Sequence, residues 1–118
     1  MKRAVQALAI DEHRVDFTPT FWTGAVPPNV SIEQVWFAGA HAGVGGSYKT
    51  RALADIPLVW MARQAEAVGL SFDWTCLPDP TAFDVTGPAH DSSSGLFALD
   101  RYHPALRDWD EEMCRQAQ

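Results

Sequence analysis

The chain has 118 residues, 47% of them hydrophobic, which is enough apolar material for the core of one domain. Nine Lys and Arg stand against fifteen Asp and Glu, so the net charge is -6. Without a cluster of basic residues, the chain has no electrostatic surface for nucleic acid or for an anionic membrane. Its apolar runs are also well short of the roughly 20 residues that a membrane-spanning helix needs.

The start of the chain does not resemble a signal peptide, because Asp11 and Glu12 end a short apolar run. Cys76 and Cys114 have neither metal-ligand spacing nor a disulfide framework, so we expect reduced thiols. We therefore expect a cytoplasmic protein. This expectation is compatible with export by a dedicated secretion system.

The first half of the chain predicts a helix, a loop and a strand. Residues 2–12 have apolar side chains at helical spacing among good helix formers, which predicts a short amphipathic helix. Three Pro and a Gly in residues 17–30 prevent regular structure, so a loop is predicted there. Residues 34–38 (QVWFA) form a continuous apolar run, typical of a strand in a parallel α/β sheet with both faces covered. The loop is expected to be held by three buried aromatic side chains: Phe17, Phe21 and Trp22.

The second half predicts one strong helix. Four Gly within residues 39–46 indicate a sharp backbone turn after the strand. Asp55 is predicted to be the N-cap of the next helix, with Pro57 in its first turn and Gly69 just beyond its end. Residues 70–95 are rich in turn-forming residues, and residues 104–118 are compatible with a further helix. The apolar face of the strong helix is predicted to include Ile56, Val59, Trp60, Arg63 and Ala67.

His41 is the candidate catalytic residue, because it directly follows the predicted strand and precedes the glycine-rich turn. Open α/β sheets bind ligands at the carboxyl ends of their strands. In Ser-His-Asp sites, one imidazole nitrogen contacts the nucleophile and the other contacts an acid, and in α/β-hydrolases the histidine follows the last strand. The alternative is a structural histidine beside an apolar strand.

The other histidines suggest simpler roles. His13 is predicted to lie at the end of the first helix, where a cation favours the helix dipole. His90 lies in a turn-forming segment, and His103 directly precedes the predicted C-terminal helix. His41, His90 and His103 lack zinc-site spacing, and the glycine run lacks a nucleotide-binding motif, so no metal or cofactor is predicted.

A nucleophile is missing from the sequence pattern. No G-x-S-x-G occurs, and no Ser lies in the strand–turn–helix context that exposes a catalytic hydroxyl. Cys76 has no neighbouring group in sequence that would activate its thiolate. The chain therefore has a candidate base without a candidate nucleophile.

Several linked motifs resemble a known family. VWFAGAHAGVGGSY followed by LADIPLVWMARQAEAVGL is similar to the C-terminal block of an uncharacterised group of α/β-hydrolases. That group includes phospholipase effectors of bacterial type VI secretion. ALAIDEHRVDFTPTFW resembles the segment before this block and GPAHDSSSGLF the segment after it, so the similarity covers roughly residues 5–99.

The resemblance implies that His41 is the catalytic base and that the strand before it is the last core strand. It also implies that the nucleophile and the acid belong to sequence N-terminal to residue 1. The chain departs from the family pattern at three positions. Ala42 and Gly43 stand where the family usually has Ser and then Asp or Asn, and Ser47 replaces the third Gly of the turn.

We therefore expect an α/β fold, as a single partial α/β-hydrolase domain over residues 1–118. Residues 1–99 are the family-like part and residues 100–118 a tail of undefined role. The expected function is the His41-bearing portion of a serine hydrolase for esters or phospholipids. We expect it to be inactive alone and completed by an upstream polypeptide, with oligomers allowed. One alternative is a non-catalytic interaction module or split-gene partner. Another is a small enzyme that uses His41 with Asp55 or Asp91.

Overall fold

The computed structural model describes residues 2–92. Within this range the chain forms two strands, two α-helices and three short 3₁₀ turns. The strands are β1 (Lys2–Ala9) and β2 (Val30–Phe37), the helices are α1 (His41–Val44) and α2 (Asp55–Glu66), and the 3₁₀ turns are Val15–Phe17, Trp74–Cys76 and Pro80–Ala82.

The predicted helix over residues 2–12 is wrong, because this segment forms β1. All eight residues of β1 pair in parallel with β2, from Lys2 opposite Val30 to Ala9 opposite Phe37. An isolated helix of this length is marginal in water, so the hydrogen bonds to a second strand override its helix propensity.

The strand predicted over residues 34–38 is confirmed, although β2 begins at Val30 and ends at Phe37. The Trp60 ring of α2 lies 5.3 Å from the Phe37 ring, and the Phe21 ring of the loop lies 5.9 Å from the Trp36 ring. Because neighbouring strand residues point to opposite faces, α2 and the loop cover opposite faces of the sheet.

The aromatic side chains of the loop are less buried than predicted. Phe17 is 37% exposed and Trp22 is 42% exposed, whereas Phe21 is half-buried against Trp36. Within residues 2–92 the sheet has two strands, which is too narrow to enclose three large rings. The loop predicted over residues 17–30 is confirmed for residues 18–29, while Phe17 ends a 3₁₀ turn and Val30 begins β2.

Helix α2 begins one residue earlier than predicted. Ala54 is its N-cap and Asp55 its first residue, so Asp55 does not cap the helix. Its carboxylate still lies in the first turn, where a negative charge is favourable. Pro57 occupies the first turn as predicted and is buried, as are Val59 and Ala62. The buried face of α2 differs from the predicted apolar face, since Arg63 and Ala67 are exposed.

The end of α2 follows the prediction for Gly69. Its φ is +105°, in the region that favours glycine. The Gly69 N–H donates to the Glu66 carbonyl over 3.0 Å, and the Leu70 N–H donates to the Ala65 carbonyl over 3.2 Å. This pair of hydrogen bonds is typical of a helix stopped by a left-handed residue.

Residues 70–92 are built from turns, as predicted. Three aspartates, Asp73, Asp79 and Asp84, each accept hydrogen bonds from the backbone N–H and the hydroxyl of the Thr two residues later. These hydrogen bonds lower the pKa of each of the three carboxyls. The segment is thus ordered locally by side chains that bond their own backbone.

The apolar core of the described residues is small. Half of its buried side chains are alanines, which remove little surface from water. The predicted tail helix, His103, Cys114 and the end of the family-like segment lie outside residues 2–92. No helix within the described range has the length and apolarity to cross a membrane. The buried apolar residues are Leu8, Ala40, Leu53, Ala54, Val59 and Ala62.

Candidate functional site

The carboxyl ends of β1 and β2 lie side by side, because the two strands are parallel and in register. Beyond the last strand pair, the Ile10 N–H donates to the Phe37 carbonyl over 3.0 Å, and the Asp11 N–H donates to the Gly39 carbonyl over 3.2 Å. The segment after β1 and the segment that leads to His41 therefore continue together past the sheet.

Gly39 makes the turn between β2 and His41. Its φ is +112°, so the glycine is required by backbone conformation here. The Gly39 N–H donates to Oδ2 of Asp11 over 2.7 Å. This short bond from a backbone amide to a carboxylate ties the turn to the end of β1.

His41 is the first residue of α1, and its side chain is exposed. The predicted order of strand, histidine, glycine-rich turn and helix is present, with His41 on one turn of helix. The buried Ala40 is the N-cap of this turn and offers no side-chain cap. The first N–H groups of a helix lack partners inside the helix, so the His41 N–H needs an acceptor from elsewhere.

That acceptor is Glu12, whose Oε2 lies 3.0 Å from the His41 backbone nitrogen. The Glu12 side chain has no exposed surface. A buried carboxylate is costly unless it is paired and hydrogen-bonded. Glu12 meets both conditions through Arg14, Ser92 and the backbone of His41.

Arg14 binds both carboxylate oxygens of Glu12. Its Nε lies 2.9 Å from Oε1 and its Nη2 lies 2.8 Å from Oε2, while its backbone N–H also donates to Oε1 over 2.9 Å. Such a bidentate pair fixes the orientation of both side chains. The Arg14 side chain is itself only 11% exposed.

The pKa of Glu12 reflects two opposing effects. Burial raises it, but the hydrogen bonds from the Arg14 side chain, from Ser92 and from the backbone of Arg14 and His41 lower it more. The result is a pKa lowered from 4.5 to about 2. Glu12 is therefore ionised throughout the neutral range, so it accepts hydrogen bonds and does not serve as a general acid that donates a proton.

An aromatic ring connects this ion pair to the imidazole of His41. The Arg14 guanidinium carbon lies 3.8 Å from the centre of the Phe17 ring, within cation–π distance. The Phe17 and His41 rings are 4.9 Å apart, centre to centre, with 57° between their planes. A cavity of about 290 Å³ opens beside these rings; it is bordered by Gln6, Leu8, Glu12, Phe17 and His41.

Neither ring nitrogen of His41 has a hydrogen-bond partner within residues 2–92. Asp55 and Asp91, the two acids considered as partners of His41 in a small enzyme, contact other residues. Asp55 binds Arg51 at 2.9 Å, and Asp91 lies 3.7 Å from Nδ1 of His13.

The other two histidines within residues 2–92 contact residues other than His41. His13 is in a loop after β1, so the predicted role at a helix end is wrong, because no helix ends there. The His90 ring stacks on Tyr48, with ring centres 4.1 Å apart. The described residues contain no group of three His, Cys, Asp or Glu side chains that could hold a metal ion.

Sequence reasoning missed Glu12 as part of the site and assigned it to a helix face. One signal was available: an apolar strand followed by two acids and then an Arg, in the series AIDEHR. A charged pair directly after a buried strand lies at the ligand-binding edge of a parallel sheet.

Comparison with known families places residues 1–64 in one of them. The matching family model is described as the catalytic domain of Tle1-like phospholipase effectors of the type VI secretion system, T6SS. The match includes β1, β2, α1 and most of α2, and with them Glu12 and His41. It ends before the segment GPAHDSSSGLF, for which the resemblance stays a prediction. No curated protein and no solved structure matches the chain significantly.

Proposed function

Because the chain belongs to the family of Tle1-like catalytic domains of type VI secretion phospholipase effectors, we propose that it is the histidine-bearing portion of a serine α/β-hydrolase for phospholipid esters. The observation that carries this proposal is the position of His41. Its exposed imidazole stands at the carboxyl ends of two parallel strands, and a buried carboxylate holds its backbone N–H.

In this proposal His41 acts first as a general base and then as a general acid. It takes the hydroxyl proton of a serine that attacks the ester carbonyl, and it gives that proton to the departing alcohol. In the second half of the reaction, His41 takes a proton from the water that attacks the acyl-enzyme, and it returns that proton to the serine. Both ring nitrogens are needed, one facing the serine and the other an acid.

We propose that a polypeptide segment upstream of this chain supplies the serine and the acid, and that the chain alone is inactive. The lack of any G-x-S-x-G motif in the sequence supports this. So does the His41 ring, whose nitrogens have no hydrogen-bond partner within residues 2–92.

The sheet supports the same proposal. Within the described range β1 pairs with β2 alone, so its other edge has no strand partner. Ala7 of β1 borders two cavities, one of about 370 Å³ on the α2 side and one of about 290 Å³ on the His41 side. An unpaired edge between two open cavities suits a further strand from the segment that carries the nucleophile.

A non-catalytic interaction module is the second candidate function. It is favoured by Ala42 and Gly43, which replace the polar pair that the family pattern usually has after the histidine. Exposed apolar side chains such as Trp22 and Leu58 fit a docking role equally well. The two candidates differ in whether His41 affects turnover.

The test is an assay of fatty-acid release from phospholipid vesicles. The chain alone should release no more than its His41→Ala variant. When it is combined with a G-x-S-x-G-bearing segment encoded directly upstream, in one polypeptide or as a second chain, release should appear. Phe72→Leu removes a ring that contacts Trp74 in the turn region; it serves as a matched single-ring control and should leave release intact.

Two results would contradict the proposal. Turnover by the chain alone that disappears in His41→Ala would show a self-sufficient enzyme. Normal release by a folded His41→Ala protein in the combined form would remove His41 from catalysis and favour the interaction module.

A further inference from the structure

Three residues after β1 form a series of contacts that meets His41 at its backbone and at its ring. Glu12 binds its backbone N–H, while Phe17 packs against its ring, and Arg14 joins Glu12 to Phe17. We propose that Glu12, Arg14 and Phe17, here called the His41 bracket, position the imidazole of His41 for proton transfer. This inference rests on the proposed function of His41.

The backbone of His41 is fixed at two neighbouring points. Glu12 accepts the His41 N–H over 3.0 Å, and Asp11 accepts the Gly39 N–H over 2.7 Å. Both acids directly follow β1, so the paired strands determine where the turn before α1 lies. The direction in which the His41 side chain leaves α1 follows from that placement.

The imidazole itself is restricted by the Phe17 ring. The ring centres are 4.9 Å apart and the planes are tilted by 57°, which is within the distance of a favourable aromatic contact. This contact restricts the imidazole, while neither of its ring nitrogens has a hydrogen-bond partner within residues 2–92. A base that is held in one orientation reaches its proton without losing further side-chain freedom.

The three residues of the bracket contact one another in series and become more exposed from Glu12 to Phe17. Glu12 has no exposed surface, Arg14 is 11% exposed and Phe17 is 37% exposed. Glu12 and Arg14 are locked to each other by two side-chain hydrogen bonds. The Arg14 guanidinium then lies over the face of the Phe17 ring and restricts the position of that ring. The exposed position of Phe17 allows its ring to be removed with little effect on the core.

A purely structural role is the competing explanation, in which the bracket only stabilises the fold. Substitutions of Phe17 distinguish the structural explanation from the positioning role. Phe17→Leu keeps an apolar side chain but removes the ring, whereas Phe17→Tyr keeps the ring. A positioning role predicts that His41 responds to the first substitution and recovers with the second.

The first measurement is NMR of the 118-residue chain with ¹³C-labelled histidine. In Phe17→Leu, the carbon-bound ring protons of His41 should move toward the chemical shifts of an unstructured histidine, and in Phe17→Tyr they should return. Glu12→Gln should move them too. Glu33→Gln is the matched control, because it removes an exposed Arg3–Glu33 ion pair of 2.8 Å and should leave the His41 signals unchanged. Unchanged His41 signals in Phe17→Leu would overturn the inference.

The second measurement is turnover by the chain combined with its nucleophile-bearing segment. Phe17→Leu should lower kcat about tenfold at constant KM, since misplacing a catalytic group slows the chemical step. Phe17→Tyr should restore kcat. An unchanged kcat in Phe17→Leu, beside an inactive His41→Ala, would reject the bracket and keep the proposed function. Full activity in His41→Ala would instead reject the proposed function, and the NMR signals would still decide whether the bracket orients the ring.

Discussion

The backbone N–H of His41 donates to the buried carboxylate of Glu12 over 3.0 Å, although 29 positions separate the two residues in the chain. The bond joins the segment after β1 to the segment after β2. It therefore exists only when the two strands are paired. The placement of the candidate base is in this way coupled to the formation of the sheet.

Acid should unfold the chain in step with the protonation of Glu12. Because its pKa is lowered from 4.5 to about 2 in the folded state, its ionised form stabilises the fold above pH 4.5. That contribution, about 3 kcal/mol, is lost as the pH falls from about 4.5 to about 2. Trp fluorescence against pH measures the transition.

Glu33→Gln is the control for this acid unfolding and should keep the same midpoint, since Glu33 makes an exposed ion pair. Glu12→Gln should be destabilised already at pH 6, because the buried Arg14 loses its charged partner. A Glu12→Gln protein as stable as the wild type at pH 6 would contradict the assigned role of this pair.

Two glycines of the turn around His41 should respond oppositely to alanine. Gly39→Ala should lower the free energy of unfolding by about 1–2 kcal/mol, because an L side chain is strained at a φ of +112°. Gly43 lies in α1, and a Cβ there would only touch the Tyr48 ring at 3.9 Å. Gly43→Ala should therefore raise stability by about 0.5 kcal/mol. Urea unfolding of both variants checks the difference, and equal effects would contradict it.

Gly43→Asp restores a residue that the family pattern usually has after the histidine. A Cβ at Gly43 would meet only the Tyr48 ring, at 3.9 Å, and no backbone atom. We expect phospholipid turnover by the combined enzyme to be at least as high as in the wild type. Initial rates at saturating substrate provide the measurement, and a clear fall would show that this turn works differently from that of its relatives.

The isolated chain should self-associate. One edge of β1 has no strand partner within residues 2–92, and this edge and exposed apolar side chains such as Trp22 offer surfaces for a second copy. Light scattering should give a mass that rises with concentration, and the added upstream segment should lower it. A clean monomer with a sharp thermal transition would mean that these residues form a complete domain.

The sequence predicted the elements whose signals are local. β2 followed from a continuous apolar run, and the end of α2 followed from Gly69. β1 was missed because AVQALA satisfies helical spacing and also pairs as a strand, and only its contact with β2 decides between them. The order of elements around His41 was foreseen. The role of Glu12 was not, because it depends on a strand pairing between distant segments.

The parallel register of β1 and β2 also has a consequence for how the chain folds. Every pair of partner residues, such as Leu8 with Trp36, lies 28 positions apart in sequence. No hairpin can therefore initiate the sheet, and closing a loop of this length costs about 3 kcal/mol in chain entropy before any strand hydrogen bond compensates. The hydrogen bonds of helix α2 join residues that are close in sequence, so no long loop has to close before it forms. We expect α2 to form early and the sheet last, so the turn that carries His41 takes its final shape only at the end of folding.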